Sequence, residues 1–349
     1  MNDAATLNSG CVVTIKEVAQ RAGVSTATVS RVLSGSAGVR DALRARVLEA
    51  TQSLAYRPNR AARNLRVGSS RAVGVLIPDV ENPFYTSVVC GIEEVLKETD
   101  YSLILANYNE NPEQEARRLD LFRAEAVRGL IFSASRSPAA RYAEFQRAGL
   151  AMVAVSRLQR GLPIDQVMVA NREGAYTATL HLIQHGHQRI GFINGPLVFT
   201  TARDRQSGYD DALREANLPM DGNLVIHCDF RQEAGRAALN QLLGMADAPK
   251  AVFTASNLLT LGALQAIHER NLDIPSQIAI VGFDEMPWAM SLRPPLTTVE
   301  QPAFEVGRTA AQLLMERINR PSLPPRQVVL GTRLIVRSSC GAERGASAA

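Results

Sequence analysis

Residues 14–35 read TIKEVAQRAGVSTATVSRVLSG and predict two short helices joined by a tight turn. Thr14 and, three residues later, Glu17 have the spacing of a capping box, in which the two residues satisfy backbone amides at the start of a helix. Gly23 supplies a turn conformation that most residues avoid, and Ser25 is suited to cap a second helix. With a third apolar stripe further along, the pattern predicts a helix-turn-helix whose second helix fits the major groove of B-DNA.

The second of these helices carries side chains suited to base edges. It contains no acidic residue that would repel phosphate groups, and small residues at its start let backbone and bases approach closely. The alternative interpretation is an ordinary polar face on a small helical bundle, and the local positive charge favours DNA over it. The residues that meet these requirements of a groove-entering helix are Thr26, Ala27, Ser30 and Arg31.

Charge is divided unevenly along the chain of 349 residues. The first 71 residues hold 11 Lys and Arg against 4 Asp and Glu, whereas the remainder hold 27 against 30. The front end therefore carries a formal charge of +7 and the rest −3. Such asymmetry predicts a small basic module with an anionic partner, for which nucleic acid is the first candidate, and a larger acidic body with another role.

The stretch YRPNRAARNLRVG, residues 56–68, is basic and has the pattern of a short helix. Asn59 is suited to cap it and Gly68 to end it. A helix of this length is not stable alone in water. The segment therefore needs a partner in order to fold.

From Arg71 onward, short apolar runs alternate with amphipathic stretches, a rhythm that predicts βαβ units and a parallel sheet. Two pieces recur: GIEEVLKE at residue 91 resembles GYDDALRE at 208, and IFSAS at 131 resembles VFTAS at 252, with offsets of 117 and 121 residues. Similar offsets predict two copies of one doubly wound α/β lobe that enclose a cleft. The expected fold is α/β, with a small all-α headpiece and a two-lobed core.

Polar and aromatic residues follow the apolar runs, where the ligands of doubly wound sheets bind. A sugar-like ligand needs donors and acceptors for its hydroxyls, which Arg205, Asn257 and Asp284 offer. It also needs an aromatic face, which Phe84 and Trp288 would supply. For any single position a helix cap or a loop is the alternative interpretation, and recurrence at successive strand ends favours a ligand site.

Four stretches together resemble the LacI family of bacterial transcription regulators: TIKEVAQRAGVSTATVSRVLSG, YRPNRAARNLRVGSSRAVGVLIPD, GHQRIGFINGP and GFDEMPWAMSLRPPLTTVEQP. The resemblance implies that Thr26 and Ala27 choose operator bases and that Arg31 adds a base contact. It also implies a hinge helix whose Leu65 wedges between base steps of the minor groove, with a plain linker as the alternative. The DNA-contacting residues expected on this basis are Thr14, Ser25, Thr26, Ala27, Ser30, Arg31, Asn59, Ala62 and Leu65.

The core resembles that of the same family, which is related to periplasmic sugar-binding proteins. Relatives often carry Asp where Ser156 and Leu258 stand here. Because carboxylates are lost while two arginines remain, we expect a sugar acid rather than a neutral sugar as the effector. The effector-binding residues implied by the resemblance, with Trp288 added from the strand ends, are Asn82, Phe84, Arg157, Arg205, Asn257, Asp284 and Trp288.

The sequence thus predicts a repressor that binds a pseudo-palindromic operator as a homodimer and responds to a sugar or sugar acid. No enzyme and no cofactor are expected, because the chain has no dinucleotide fingerprint, nucleophile elbow or phosphate loop. The alternative is a cleft-bearing enzyme or a binding protein with an accessory DNA-binding head.

Cysteine and histidine positions favour neither disulfides nor a metal site. His181 and His185 stand four apart, as helical metal ligands do, but Gly186 ends that helix and neither Cys nor a nearby carboxylate completes a set. The apolar runs are too short to span a membrane, and widely spaced free thiols suit a reducing compartment, so we expect a cytoplasmic, nucleoid-associated protein. The four cysteines are Cys11, Cys90, Cys228 and Cys340.

The expected domain boundaries follow from these segments: a tail at 1–13, the helix-turn-helix domain at 14–57, a hinge helix or linker at 58–70, an effector-binding and dimerisation core at 71–340, and a tail at 341–349. Crossovers divide the core into a first lobe at about 71–169 and 299–326 and a second at about 170–298 and 327–340. No leucine heptad follows Cys340, which favours a dimer over a tetramer.

Overall fold

The protein is described by a computed structural model that covers residues 13–33, 38–56, 70–135, 139–159 and 161–341. These residues form two units, a head that ends at Ser70 and a core that begins at Arg71. The head contains three helices, α1 (Ile15–Ala22), α2 (Thr26–Leu33) and α3 (Asp41–Ser53). Their apolar faces form one small core made of Val18, Ala19, Ala22, Val29, Val32, Val47 and Ala50.

The turn between α1 and α2 is built on Gly23, whose φ of 62° lies in the left-handed region. Arg46 of α3 donates a hydrogen bond from Nη2 to the carbonyl oxygen of Ala22 at 2.6 Å, which satisfies one of the open acceptors at the end of α1. A Cβ atom at position 23 would lie 2.5 Å from the same Nη2 atom. The turn therefore requires glycine both for its backbone angle and for the close approach of Arg46.

The core alternates strands and helices as the sequence predicts. Two short 3-10 helices, Gly222–Leu224 and Pro287–Ser291, lie between the longer elements. In chain order the elements are β1 (Ala72–Ile77), α4 (Pro83–Leu96), β2 (Ser102–Asn107), α5 (Pro112–Ala124), β3 (Gly129–Phe132), α6 (Ala139–Arg147), β4 (Ala151–Val155), β5 (Asp165–Val169), α7 (Asn171–Gln184), β6 (Ile190–Asn194), α8 (Thr200–Glu215), β7 (Val225–His227), α9 (Gln232–Leu243), β8 (Ala251–Thr254), α10 (Asn257–Glu269), β9 (Ala279–Phe283), β10 (Thr297–Glu300), α11 (Ala303–Asn319), β11 (Gln327–Leu330) and β12 (Arg333–Ile335).

These strands form two six-stranded sheets, one in each lobe. The first has the order β11-β5-β4-β3-β1-β2 and the second β12-β10-β9-β8-β6-β7. Neighbouring strands run parallel, except that β12 pairs antiparallel with β10. Apolar clusters cover both faces of each sheet, as parallel sheets require. The predicted α/β class, with a helical head and a two-lobed core, is confirmed.

The chain passes between the lobes three times: from β5 to α7, from β10 to α11 and from β11 to β12. Two of these crossings fall later than the predicted boundaries. Strand β10 pairs with β9 in the second sheet, so that lobe continues to Glu300 rather than to residue 298. Strand β11 pairs with β5, and the amide of Arg326 donates to Asp165 Oδ1 at 2.8 Å, so the first lobe continues to Leu330 rather than to residue 326.

Glycines allow helix pairs in both lobes to pack at backbone distance. A Cβ atom on Gly307 of α11 would lie 1.9 Å from the carbonyl oxygen of Val88 in α4. In the second lobe, a Cβ atom on Gly208 of α8 would lie 2.1 Å from the carbonyl oxygen of Arg172 in α7. Since the helices cover the sheets directly, these close contacts determine how tightly each lobe is packed.

Candidate functional site

The exposed face of α2 holds the residues expected to read DNA. Thr26, Ala27 and Arg31 are exposed, while Val29 and Val32 are buried in the core of the head. Ala27 and Arg31 are four residues apart and therefore lie on one face of the helix. This face combines a hydroxyl, a methyl group and a cation, and its first turn contains no acidic residue. Such a surface suits a helix that enters a DNA groove.

The starts of α1 and α2 are fixed by local hydrogen bonds. The backbone amide and the hydroxyl of Thr14 donate to the Glu17 carboxylate at 2.6 and 2.9 Å, and these bonds lower the pKa of Glu17. Ser25 Oγ accepts a hydrogen bond from the amide of Thr28 at 3.2 Å. Thr14 and Ser25 therefore lie at the exposed starts of these helices, and Ser30 is half-buried on α2.

The expected contacts of the hinge helix fall outside the part of the chain that the structure describes. Their assignment stays a prediction. These residues are Asn59, Ala62 and Leu65.

A cavity with a volume of about 790 Å³ lies between the two lobes of the core, beyond the carboxyl ends of their strands. A volume of this size suits a small organic ligand. Of the residues expected to bind the effector, five line the cavity: Asn82, Phe84, Arg157, Arg205 and Asp284.

Arg205 of α8 is a buried cation whose hydrogen bonds go to neutral groups. Its Nε donates to Asn171 Oδ1 at 2.8 Å, its Nη1 donates to the carbonyl oxygen of Ala255, and its guanidinium carbon lies 3.8 Å from the ring centre of Phe283. Burial lowers the pKa of Arg205 to about 10. Among the described residues, no carboxylate accepts a hydrogen bond from Arg205. A guanidinium has five donors, so this one retains donors for a ligand.

Arg157, which follows β4, is buried but has a different set of partners. Both terminal nitrogens donate to the Glu110 carboxylate, with an Nη1 to Oε2 distance of 2.9 Å. Nη1 also donates to the carbonyl oxygen of Ala134 at 3.0 Å and to the hydroxyl of Tyr108 at 3.3 Å. Burial acts to lower the pKa of Arg157, but the surrounding tyrosine oxygens and the Glu110 carboxylate outweigh it and raise that pKa.

An amide pair joins the two lobes beside the cavity. Asn257 Nδ2 donates to Asn82 Oδ1 at 2.8 Å, and the backbone amide of Asn257 donates to Asp284 Oδ2 at 3.0 Å. Asn257 Oδ1 is buried and has no hydrogen-bond partner among the described residues. Asn257 itself does not line the cavity, and its unpaired buried acceptor lies beside the cavity at a cost in free energy.

Further contacts connect the lobes around the same cavity. The amide of Leu158 in the first lobe donates to Thr200 Oγ1 in the second at 3.0 Å. The guanidinium carbon of Arg157 lies 3.8 Å from the ring centre of Phe199, which belongs to the second lobe. The residues that follow the strands of one lobe therefore contact the other lobe directly.

Trp288 does not line the cavity. It lies in the 3-10 helix Pro287–Ser291, and its half-buried side chain packs against the apolar cluster of α9 and α10. This turn leads the chain away from the cleft after Asp284. Aromatic rings from other strand ends line the cavity instead, among them Phe199 after β6 and Phe230 after β7.

Three further cavity residues were not predicted from the sequence. Glu110 follows β2, Phe230 follows β7 and Gln301 follows β10, and all three line the cavity. These three residues follow the end of a strand, the same kind of position that identified Arg157 and Asp284.

The histidines of the second lobe do not gather into a metal site. Among the described residues, no group of three His, Cys, Asp or Glu side chains could hold a metal ion. Cys340, which is distant from His181 in sequence, was not predicted to lie near it, but its Sγ atom lies 3.1 Å from His181 Nε2. Burial lowers the pKa of His181 to about 4, so its imidazole is neutral at pH 7. None of the described helices is long and apolar enough to cross a membrane.

Comparison with known proteins gives matches over nearly the whole chain. Residues 14–59 match the family described as bacterial regulatory proteins, lacI family, and residues 179–340 match the periplasmic binding protein-like domain. The HTH-type transcriptional repressor PurR of Actinobacillus pleuropneumoniae serotype 3 is 34% identical over 93% of this chain and 98% of its own length. The ribose operon repressor of Haemophilus influenzae is 34% identical with the same coverage.

Solved structures agree with these matches. A complex of the transcriptional regulator CelR with cellobiose is 32% identical, with a TM-score of 0.72, and the match covers 94% of this chain and 99% of that one. A lac repressor dimer bound to operator and the anti-inducer ONPF is 25% identical, with a TM-score of 0.84, over 95% of this chain and 100% of that one. These relatives regulate transcription and are not enzymes.

Proposed function

The chain belongs to the LacI family of bacterial regulatory proteins, and on that premise we propose that it is a repressor that binds a pseudo-palindromic operator as a homodimer and responds to a small sugar or sugar acid in the interlobe cleft. The observation that carries the proposal is the presence in one chain of an exposed α2 face without acidic residues in its first turn and a polar cavity between two lobes.

In this proposal, Thr26 and Ala27 on the exposed start of α2 choose the operator bases, and Arg31 donates to a further base. Thr14, Ser25 and Ser30 contact phosphate groups, as their positions near the helix starts and on α2 allow. Asn59, Ala62 and Leu65 complete the minor-groove contact.

Selection from random double-stranded oligonucleotides tests the operator proposal. We expect a motif with two-fold symmetry, because a symmetric dimer presents two copies of α2. Arg31→Ala should weaken binding to that motif about tenfold or more, since a good base contact contributes roughly 1–3 kcal/mol. Arg128→Ala, which removes an equal charge from the surface of the core, is the matched control. Recovery of no symmetric motif would contradict the proposal.

The cavity supports a ligand with several hydroxyl groups. Arg205 and Asp284 offer buried donors and acceptors, Asn82 joins them from the first lobe, and Phe84 supplies an apolar face. Asn257 lies beside the cavity and holds Asn82 and Asp284 by hydrogen bonds. Relatives whose names mention ribose and cellobiose favour a sugar-like effector. The absence of Asp at Ser156 and Leu258 favours a sugar acid over a neutral sugar.

Calorimetric titration with sugars and sugar acids tests the effector proposal, and gel shift with the selected operator tests the response. We expect one member of the panel to bind and to change the affinity for the operator, because an effector must prefer one arrangement of the lobes. Sedimentation analysis of the DNA-free protein tests the dimer. Binding of a sugar without any change in operator affinity would contradict the proposed regulation.

A further inference from the structure

The guanidinium of Arg157 already holds a carboxylate inside the effector cavity. Both terminal nitrogens of Arg157 donate to the two oxygens of Glu110, the fork geometry with which arginine binds carboxylates in general. Both residues line the cavity between the lobes. The side chain of Arg157 is 6% exposed and that of Glu110 is 31% exposed. The pair therefore has a buried cation on one side and an anion that reaches solvent on the other.

Glu110 is held in a backbone conformation that its residue type seldom adopts. Asn109 and Glu110 have φ values of 51° and 55°, so two consecutive residues with side chains lie in the left-handed region. The amide of Glu110 donates to the carbonyl oxygen of Pro78 at 3.2 Å, and Asn107 Nδ2 donates to Asn109 Oδ1 at 2.7 Å. Strained residues of this kind persist only where the surroundings hold them, and the ion pair with Arg157 is one such constraint.

Arg157 is also fixed from its other sides. It donates to the carbonyl oxygen of Ala134, and it stacks on Phe199 of the other lobe with 3.8 Å between guanidinium carbon and ring centre. Glu110 is the charged partner that can move, because its side chain reaches solvent and its loop is strained. Exchange of one carboxylate for another leaves Arg157 paired, whereas simple loss of Glu110 would leave a buried cation without its counter-charge.

We propose that the Glu110 carboxylate occupies the position that the carboxylate of an acidic effector takes in the bound state. The effector binds Arg157 by displacing Glu110. The proposal rests on the proposed function of the cleft and names the anion subsite within it. On binding of a sugar acid, its carboxylate takes both hydrogen bonds of Arg157, the Glu110 carboxylate turns to water, and the loop at 109–110 is released. A neutral sugar cannot replace Glu110, because it offers Arg157 no charge. Glu110 thus sets how strongly the cleft prefers acids over neutral sugars.

Paired titrations of the full chain test this directly. The probes are D-glucuronate and D-galacturonate, compared with D-glucose and D-galactose respectively, which carry a hydroxymethyl group in place of the carboxylate, together with D-gluconate. Glu110→Gln removes the competing anion at nearly constant size, so we expect the acids to bind about tenfold more tightly, with less than a twofold change for the neutral sugars. Glu110→Asn should act in the same way, since Asn tolerates the left-handed backbone that this position requires.

Glu81→Gln is the matched control, because Glu81 lines the same cavity and is exposed but makes no ion pair with Arg157 among the described residues. We expect it to change acid binding less than threefold, the size of a general charge effect at an exposed site. An equal gain in both variants would overturn the proposal, because the effect would then not depend on Arg157. The proposal is also overturned if Glu110→Gln leaves the ratio of the affinities for acids and neutral sugars unchanged. It is equally overturned if no acid binds to either protein.

Amide hydrogen exchange provides a second readout. Binding of the acid should speed exchange of the Glu110 amide, which is bonded to Pro78 in the free protein, whereas a neutral sugar should not. Unchanged or slower exchange at residues 109–111 with the acid bound would overturn the displacement. Operator selection is measured in a separate experiment. If only the Glu110 proposal fails, the protein still selects a symmetric operator. If the proposed function fails, the protein selects no symmetric operator.

Discussion

The two lobes of the core share one sheet design but balance the arginine that each contributes to the cleft in different ways. Both sheets place their strands in the same order when matched along the chain. Arg157 of the first lobe is paired with the Glu110 carboxylate, whereas Arg205 of the second is held by an amide oxygen and a carbonyl oxygen. The fold therefore decides where an arginine reaches the cleft, while the neighbouring loops decide whether its charge is balanced.

The largest expected effect concerns the close packing of helix pairs, which is found in both lobes. Gly307→Ala in the first lobe and Gly208→Ala in the second would each drive a methyl group into a backbone carbonyl oxygen, at 1.9 and 2.1 Å. We expect each variant to lower the free energy of unfolding by about 3 kcal/mol, because two helices must move apart. Urea denaturation followed by circular dichroism measures the loss.

Gly331→Ala is the control for both variants, because a Cβ atom there would meet no atom within 4 Å. A loss at position 208 or 307 no greater than at 331 would show that the helix pairs are looser than described. A large loss in one lobe only would show that the lobes do not share this packing.

Arg205→Met tests the neutral partners of the second lobe. The substitution keeps an apolar side chain over Phe283 but leaves Asn171 Oδ1 and the carbonyl oxygen of Ala255 without their donor. Each unpaired buried acceptor is costly, so we expect the free energy of unfolding to fall by about 2 kcal/mol. Urea denaturation in the absence of any sugar measures this effect separately from ligand binding.

Arg203→Met is the matched control on the same helix. Arg203 is exposed and donates only to carbonyl oxygens of the preceding loop, those of Leu197 and Val198, which water can satisfy in its place. We expect a loss below about 0.5 kcal/mol, as for most surface substitutions. If both variants lose the same amount, Arg205 is not held as the structure describes.

The sequence was sufficient to predict where most of the site lies. Strand ends in a doubly wound sheet meet at one edge, so the apolar runs assigned the stretches that hold Asn82, Phe84, Arg157, Arg205 and Asp284 to one cleft, and the family resemblance singled out these residues within them. Periodicity also predicted the helical head, which depends on residues close together in the chain, and two repeats with similar offsets predicted the two lobes. The crossings were misplaced by a few residues, since β11 is short and its pairing with β5 is non-local.

The partners of the site residues could not be predicted in this way. The pairing of Arg157 with Glu110 joins residues 47 apart and depends on two left-handed residues that no propensity favours. Trp288 was assigned to the cavity because it follows β9, but a 3-10 helix turns it toward the apolar cluster of α9 and α10. Position after a strand therefore predicts proximity to the cleft, but the fold of the loop decides which side chain enters it.

Acid should affect the two lobes unequally, because all five histidines lie in the second lobe. His181 packs beside Cys340, and burial lowers its pKa from the ordinary 6.5 to about 4. The unfolded chain therefore takes up this proton before the folded protein does, so the contribution of His181 to stability is constant well above pH 6.5 and falls as the pH drops from 6.5 toward 4. Because the imidazole is only partly buried, we expect this residue to account for a loss of about 1 kcal/mol.

His181→Gln should remove that part of the pH dependence, as measured by urea denaturation at several pH values. His268→Gln, at an exposed position on α10, should leave it in place. A wild-type slope that persists in His181→Gln would assign the acid sensitivity to other groups. Hydrogen exchange at pH 5 locates the effect, and equal loss of protection in both lobes would contradict the comparison.

The smallest expected effect concerns one of the contacts that join the lobes, the hydrogen bond between Leu158 and Thr200. Thr200→Val keeps the shape of the side chain but removes the oxygen that accepts from the amide of Leu158 at 3.0 Å, while Thr200→Ser retains that oxygen. We expect the valine variant to lose about 0.5 kcal/mol and the melting temperature to fall by about 1 °C, with the serine variant close to wild type. Equal melting temperatures for valine and serine would mean that Leu158 finds another acceptor, and that the lobes are joined only by the cavity residues and the crossings.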